Sequence, residues 1–397
     1  MEKVLFLCHR IPFPPNKGDK IRSYHWLQYL KQHYQVFLGA FVDDKQDWQH
    51  QEQVSLGTQD CQLMARHPWL HKAKSLTALL GDQPLSLAYY QSDKMQAWVD
   101  AILAEHPDIK VLTFSSSMAQ YVPDHAKFAV MDFVDIDSDK WLQYAEKKQG
   151  FMAWLYQREF RTLQRYEQQV AQRFDLSLFV SAAEADEFQR KQSKHIHSSI
   201  DWVQNGVDIH YFNPDDPSLE SPYPAAKPCI VFTGAMDYWA NVEGVTWFTE
   251  QVWPSLLAAR PDCLFYIVGS NPGAEVLRLQ QLTNVVVTGR VPDIRPYLKF
   301  AQCVVAPLRI SRGIQNKVLE ALAMNQIVVG SPDAFVGIGQ SQSTLVAEDA
   351  GRFSEHCLAQ LSQPLQQGRQ PRAWVEERFS WQSSFDRLGA LIAQAGG

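Results

Sequence analysis

Short, predominantly apolar runs alternate with longer stretches of helical periodicity along this chain, and that alternation restricts its fold more than any other feature. Runs at 4–8, 36–42, 109–114, 128–132, 176–181 and 200–203 are dominated by Val, Ile, Leu and Phe. Strands that are apolar on both faces must be covered on both faces, which is the condition of a parallel sheet layered between helices. Helical candidates fill the intervals, among them 21–33, 95–104 and 151–173. A second series of runs follows at 230–234, 264–269, 285–289, 304–307 and 327–330, again separated by helical patterns.

A break divides the two series. Asn205, Gly206 and Asp208 make a turn signal, and 213–228 is rich in Pro, Asp and Ser. At 397 residues the chain exceeds what one core usually organises. The pattern predicts an α/β fold of two Rossmann-like doubly wound domains, at 1–205 and 229–375, joined by a linker at 206–228. A last segment, 376–397, overlaps a stretch that reads as helical from 374 to 395. Leu388, Leu391 and Ile392 give it an apolar face for either domain.

Composition removes several classes of function. A net charge of −6 argues against a general nucleic-acid binder, which needs a basic surface. The six cysteines form no CxxC pair, and Cys303 sits inside an apolar run, so buried thiols in a reducing compartment are expected. The apolar run after Met1 is too short for a signal peptide, and no stretch approaches the roughly 20 apolar residues of a membrane span. A cytoplasmic protein is expected.

Three loops at strand ends carry candidate chemistry. The first, 9–19, holds Pro12, Pro14, Pro15 and Gly18 before a helix near Lys20. It is long for a strand–helix connection. Gly18 would let the backbone approach a ligand near a helix N-terminus; the alternative is a plain connection stiffened by prolines. The second holds Asp132, Asp135, Asp137 and Asp139. Asp135 or Asp132 could act on a substrate, while Asp137 or Ser138 could cap a helix. A metal is the remaining reading of these carboxylates, although the Gly and distal Glu of a calcium loop are missing.

The third loop carries the strongest signal. A buried strand stops at Pro307, a basic stretch with Arg309, Arg312 and Gly313 follows, and a helix is expected to start near Ile314. Gly313 and Ile314 would present backbone N–H groups to a diphosphate at the helix N-terminus. Arg312 and Lys317 can neutralise its oxygens. Glu320, three residues after Lys317, suits a diol such as a ribose. Without a ligand, the same residues make a Lys–Glu pair on an amphipathic helix. Two more loops sit at comparable strand ends, one opening at Gly234 and one at Gly289. In the second, the backbone of Arg290 and Val291 could meet a base edge and the Arg290 side chain a phosphate. Arg295 could equally be a surface partner of Asp293.

Taken together, these segments resemble retaining glycosyltransferases of the GT-B, family-4 type. More narrowly, they resemble the sugar transferases of bacterial PEP-CTERM/exosortase gene clusters. The resemblance runs from His9–Lys20 and Asp132–Trp141 through Asn205–Asp208, Gly289–Asp293 and Gly313–Glu320 to Phe379–Trp381. It implies a nucleotide-diphosphate sugar in an interdomain cleft, held mainly by the C-terminal domain; the acceptor is expected over the N-terminal domain near Gly18 and Asp135. It also implies retention of configuration, no metal and no cofactor beyond the sugar nucleotide, and a last helix that crosses back onto the N-terminal domain.

The chain departs from the family in two places. Glu320 matches the second Glu of the family's E-x7-E motif, but Arg312 stands where the first is expected. Asp237, Tyr238 and Trp239 stand near the place of the usual Arg/Lys pair. The expected donor-binding residues are Gly18, Gly234, Arg290, Val291, Gly313, Ile314 and Glu320. The expected catalytic residues are Asp135, Arg312 and Lys317.

The acceptor would be a saccharide or a polyprenyl-linked sugar in exopolysaccharide assembly. The basic, aromatic segments 69–90 and 147–173 could touch the inner face of the cell membrane, or pack on their own sheet. A nucleotide-sugar epimerase and a non-catalytic transferase-like partner are the alternative functions.

Overall fold

The computed structural model describes residues 1–15, 18–66, 75, 78–79, 81–146, 148–192, 199–225, 227–309, 314–363 and 371–396. They form two compact units. One comprises Met1–Gln204 and the chain from Phe385 onwards; the other comprises Asn205–Ser384.

The first unit holds seven strands: β1 (Lys3–Cys8), β2 (Gln35–Val42), β3 (Asp60–Ala65), β4 (Lys110–Phe114), β5 (Phe128–Val134), β6 (Leu176–Phe179) and β7 (Ser199–Trp202). All pair in parallel, in the order β3-β2-β1-β4-β5-β6-β7. The order reverses direction between β1 and β4, so the helices that follow these two strands leave on opposite faces and open a crevice at the strand ends. β1 and β4 are buried along nearly their whole length, as their uninterrupted apolar sequences require. β3 escapes the apolar-run criterion because it is an edge strand, partly exposed and carrying Asp60 and Gln62.

The second unit repeats the plan with β8 (Cys229–Thr233), β9 (Leu264–Val268), β10 (Val285–Gly289), β11 (Cys303–Ala306), β12 (Val328–Gly330) and β13 (Thr344–Val346). Its parallel order is β10-β9-β8-β11-β12-β13, so its switch point lies between β8 and β11. The α/β class and the two doubly wound sheets agree with the sequence pattern.

The described helices of eight residues or more are α1 (Gly18–His33), α2 (Asp93–Glu105), α3 (Asp137–Glu146), α4 (Gly150–Arg173), α5 (Ala182–Lys191), α6 (Trp239–Gln251), α7 (Asn316–Ala323), α8 (Ala350–Leu361), α9 (Pro371–Phe379) and α10 (Trp381–Ala395). No described helix is long and apolar enough to cross a membrane.

Two boundaries differ from expectation. The segment 206–228, expected as a linker, contributes Val207, Phe212, Leu219 and Tyr223 to the second unit's core. Its Pro and Asp residues fold it into turns rather than leaving it free. Arg372 fastens it further by donating to the carbonyls of Ile209 and Phe212. The helical stretch expected at 374–395 is two helices, α9 and α10. Ser380 breaks it by bridging to Val207, whose N–H donates to Phe379 O at 2.7 Å. Gly206 permits that approach, since a Cβ there would lie 2.4 Å from Trp381 N. From Phe385 on, α10 belongs to the first unit: Phe385 stacks on Tyr29 at 4.6 Å and Arg387 pairs with Asp201 at 2.5 Å.

Candidate functional site

In the second unit, three residues distant in sequence converge at the switch point. Gly234 follows β8 directly, Asn241 lies on α6, and Lys317 lies in the first turn of α7, after β11. Lys317 Nζ donates to Asn241 Oδ1, and Asn241 Nδ2 donates to Ala235 O at 2.8 Å. One amide therefore ties the lysine to the loop after β8. The ammonium sits 4.6 Å from the centre of the Phe232 ring. A Cβ on Gly234 would lie 2.8 Å from Asn241 Nδ2 and 3.1 Å from Lys317 Nζ, so this position has no room for a side chain. Gly234 also abuts Gly269, where a Cβ would fall 1.6 Å from Gly234 O. Glycine at both positions lets the two loops close on each other.

The electrostatics of this cluster favour an anion. Burial pushes the Lys317 ammonium down to about 7, and Glu320 only partly restores it. Burial likewise pushes Glu320 up to about 7, opposed by Lys317. A desolvated ammonium with one neutral amide acceptor gains from an incoming oxyanion. In the sequence positions just before Gly234 and Lys317, the buried atoms Thr233 Oγ1 and Asn316 Oδ1 have no hydrogen-bond partner among the described residues. The helix expected from Ile314 begins at Asn316, and no side chain caps it at Gln315.

The other expected residues distribute as follows. Ile314 is a packing residue against Gly337, whose added Cβ would lie 2.9 Å from Ile314 Cγ1. Arg290 is exposed after the edge strand β10, and Val291 is half-buried against the core. Among the described residues, neither bonds to the Lys317 cluster. Arg312 and Gly313 lie outside the described residues. Arg295 is structural: it grips Asp293 at 2.7 Å and Asp216 at 3.0 Å, and its guanidinium stacks 4.3 Å from Tyr211. Asn241 carried no distinguishing signal in the sequence, since a single Asn on a helix is common; only the fold brings it to Lys317.

In the first unit, the acidic loop divides into separate roles. Asp132 is fully buried and meets Arg22 through two hydrogen bonds, 2.7 Å from Nε and 3.0 Å from Nη2. Arg22 also donates to Val203 O at 2.7 Å. Burial raises the Asp132 carboxyl and the guanidinium opposes it. This sealed pair holds α1 to β5 and is not open to a substrate. Asp135 is half-exposed and pairs with Lys140 at 3.0 Å, which also meets Asp137 at 2.9 Å. Asp139 pairs with Lys191 at 2.6 Å. The three carboxylates 135, 137 and 139 thus meet lysines.

Among the described residues, neither Asp137 nor Ser138 makes a capping bond at the start of α3. Ser138 instead donates its N–H and hydroxyl to Glu167, and Glu184 accepts from Ile136 N. Burial pushes Glu167 up to about 8. Val134, just before Asp135, adopts φ +70°, a conformation that costs a β-branched residue about 1–3 kcal/mol. Gly18 is exposed at the start of α1, and a Cβ added there would meet nothing within 4 Å, so local packing places no demand for glycine.

Comparison with known proteins adds to this geometry. Residues 227–363, spanning β8–β13, match the family model of the glycosyl transferases group 1. An uncharacterised 44.6 kDa protein of the cps region of Klebsiella pneumoniae is 22% identical over 197 residues. The chain spans about half the length of this curated relative, 47% of each sequence. HepE of Anabaena, solved with UDP, superposes with a TM-score of 0.66 at 14% identity, covering 99% of this chain and 100% of that one. The α,α-trehalose 6-phosphate synthase of Burkholderia multivorans gives 0.65 at 12% identity and 99% coverage of both chains. The sucrose-phosphate synthase of Thermosynechococcus elongatus gives 0.62 at 16% identity, with 99% of both covered. The whole chain thus has the two-sheet GT-B fold, and its residues 227–363 are similar to the glycosyl transferases group 1.

Proposed function

We propose that this protein is a retaining hexosyltransferase of the family-4 type. Its donor is a UDP-sugar bound by the second unit, and its acceptor is a saccharide or polyprenyl-linked sugar bound by the first. The observation that carries this reading is the Lys317 ammonium fastened by Asn241 beside Gly234 at the switch point of β8 and β11. Structural neighbours solved with UDP and UDP-glucose support the choice of nucleotide.

As the bond from the anomeric carbon to the diphosphate breaks, negative charge grows on the leaving oxygen. Lys317 stabilises that charge, and it does so most where water is excluded. Arg312 and the backbone N–H groups of Gly313 and Ile314 join it on the phosphates, with Gly234 leaving room for the Asn241–Lys317 contact. Glu320 accepts from the ribose hydroxyls, while Arg290 and Val291 face the base. Asp135, kept close to Lys140, hydrogen-bonds the acceptor hydroxyl, whose oxygen replaces the diphosphate on the anomeric carbon and whose proton passes to the departing diphosphate. The reaction uses no metal or cofactor.

The biological setting we infer is bacterial exopolysaccharide assembly of the PEP-CTERM-associated kind, in the cytoplasm at the inner face of the membrane. Exposed Tyr144, Phe151, Met152 and Trp154, with exposed Arg161 and Arg165, support a peripheral contact there. Of the segment 69–90, a large part lies outside the described residues. Co-flotation with anionic vesicles at low salt tests the contact, and no co-flotation removes it.

Turnover tests the chemistry. With a panel of UDP-sugars and acceptors, UDP release should depend on the acceptor, and Lys317→Ala should lower it about 100-fold. Acceptor-independent conversion of one UDP-sugar into another would instead identify an epimerase. Absence of both turnover and nucleotide binding would indicate a non-catalytic partner.

A further inference from the structure

Arg66, directly after β3, is 3% exposed and makes no ion pair among the described residues. Its guanidinium carbon lies 3.9 Å from the centre of the Phe41 ring, 4.7 Å from Tyr90 and 5.2 Å from Tyr89. Nε and Nη1 are sealed from solvent and have no hydrogen-bond acceptor among the described residues. Other arginines of the chain show what a structural guanidinium does here. Arg22 ends on Asp132 and Val203 O, Arg158 on the carbonyls of Ala78 and Gly81, and Arg372 on those of Ile209 and Phe212. Among the described residues, Arg66 meets aromatic faces, and its Nε and Nη1 meet no oxygen.

Its surroundings lie on the ligand-binding edge of the first sheet. Arg10, after β1, pairs with Asp43, after β2, at 2.9 Å. Both act electrostatically on Tyr89 and Tyr90, the same rings that flank Arg66. His9 meets Tyr90 edge-on at 5.7 Å. Among the described residues, the ends of β1, β2 and β3 thus bring the Arg10 and Arg66 guanidinium groups to the same tyrosines, with Asp43 paired to Arg10. Doubly wound sheets take ligands at the carboxyl ends of their strands, and a buried arginine with unsatisfied donors calls for a planar or tetrahedral oxyanion.

We propose that Arg66 is the base of an oxyanion subsite in the first unit, taking a phosphate or carboxylate group through its unsatisfied N–H groups, with Tyr89 and Tyr90 beside it. Given the transferase reading above, on which this step alone rests, the acceptor is an anionic saccharide, phosphorylated or uronic. The anion site itself does not depend on that reading.

The test is thermal stabilisation and calorimetric titration of the full chain with inorganic phosphate, against chloride at equal ionic strength. In a Lys317→Ala background, which removes the second unit's anion site, saturable stabilisation should persist, and adding Arg66→Met should abolish it. Glucose 6-phosphate and glucuronate, each against glucose, identify the phosphate or carboxylate source. Arg66→Lys, which keeps the charge but not the planar donors, should weaken the anion at least tenfold and serves if Arg66→Met does not fold. UDP-glucose binding should be unchanged in the folded Arg66 variant. No anion effect in the Lys317→Ala background, or an equal effect there in the Arg66 variants, overturns the proposal. Arg66-dependent anion binding without any sugar transfer would leave the subsite standing and reject the transferase reading.

Discussion

At the scale of single residues, Lys317 and Glu320 decide the behaviour of the donor site. Burial disfavours both charges, pushing Lys317 down to about 7 and Glu320 up to about 7. A bound diphosphate favours the ammonium, so binding takes up a proton wherever the free lysine has lost one. The Lys317 contribution to affinity for a UDP-sugar, whose diphosphate has no proton to lose in this range, should therefore fall as pH rises from about 6 to 8.5, read in Glu320→Gln protein where the opposing carboxyl no longer titrates. Calorimetry across that range should show the decline, and Lys317→Met should flatten it. Asp132 makes the opposite case. The sequence offered it beside Asp135 as a reactive carboxylate, but its Arg22 partner makes it structural. Asp132→Asn should cost about 3–5 kcal/mol of stability by leaving a buried guanidinium poorly paired, read as a lower unfolding midpoint. Asp135→Asn should leave the midpoint unchanged. Lys317 and Glu320 were legible because a basic, glycine-bearing loop after a buried strand has a specific chemical use. Asn241 and Arg66 were not, because what distinguishes them is the neighbours the fold supplies.

At the scale of elements, the junction of β8 with α6 positions the site. The Gly234 position is filled by Asn241 and Lys317, so Gly234→Ala should displace the lysine and weaken UDP-sugar binding about ten- to 100-fold. The far-ultraviolet dichroism should stay that of the wild type. Asn241→Leu should weaken binding by a similar factor through loss of the only described acceptor that fixes Lys317. The Arg295 clamp has a different purpose. It joins Asp293 to Asp216 and Tyr211, so Arg295→Ala should loosen the segment after residue 206, detected as faster amide exchange there, without affecting nucleotide directly. Central strands were readable from sequence because burial on both faces demands uninterrupted apolar residues. The edge strand β3 and the three-residue β13 lacked that demand. The turn-rich 206–228 resembled a linker because its few core residues, Val207, Phe212, Leu219 and Tyr223, are spaced irregularly between Pro and Asp.

At the scale of the whole molecule, each unit has its own sheet and core, and each sheet reverses its order at one point. In the second unit that reversal coincides with the Lys317 cluster. In the first it lies between β1 and β4, the strand beside the Arg22–Asp132 pair. The chain also returns to its beginning: α10 leaves the second unit at Ser384 and joins the first through Phe385 and Arg387. Removal of residues 385–397 should therefore destabilise the first unit selectively, seen as earlier proteolysis of residues 1–204 while UDP-sugar protection of the second unit persists.

The central claim is that the second unit holds a nucleotide sugar through Lys317. Isothermal titration of UDP-glucose into wild-type and Lys317→Ala protein tests it most directly. The account predicts one saturable site in wild type, weakened about ten- to 100-fold in the variant by loss of one charge-assisted contact. Equal affinity in both proteins, or no binding of any UDP-sugar to the wild type, would contradict it.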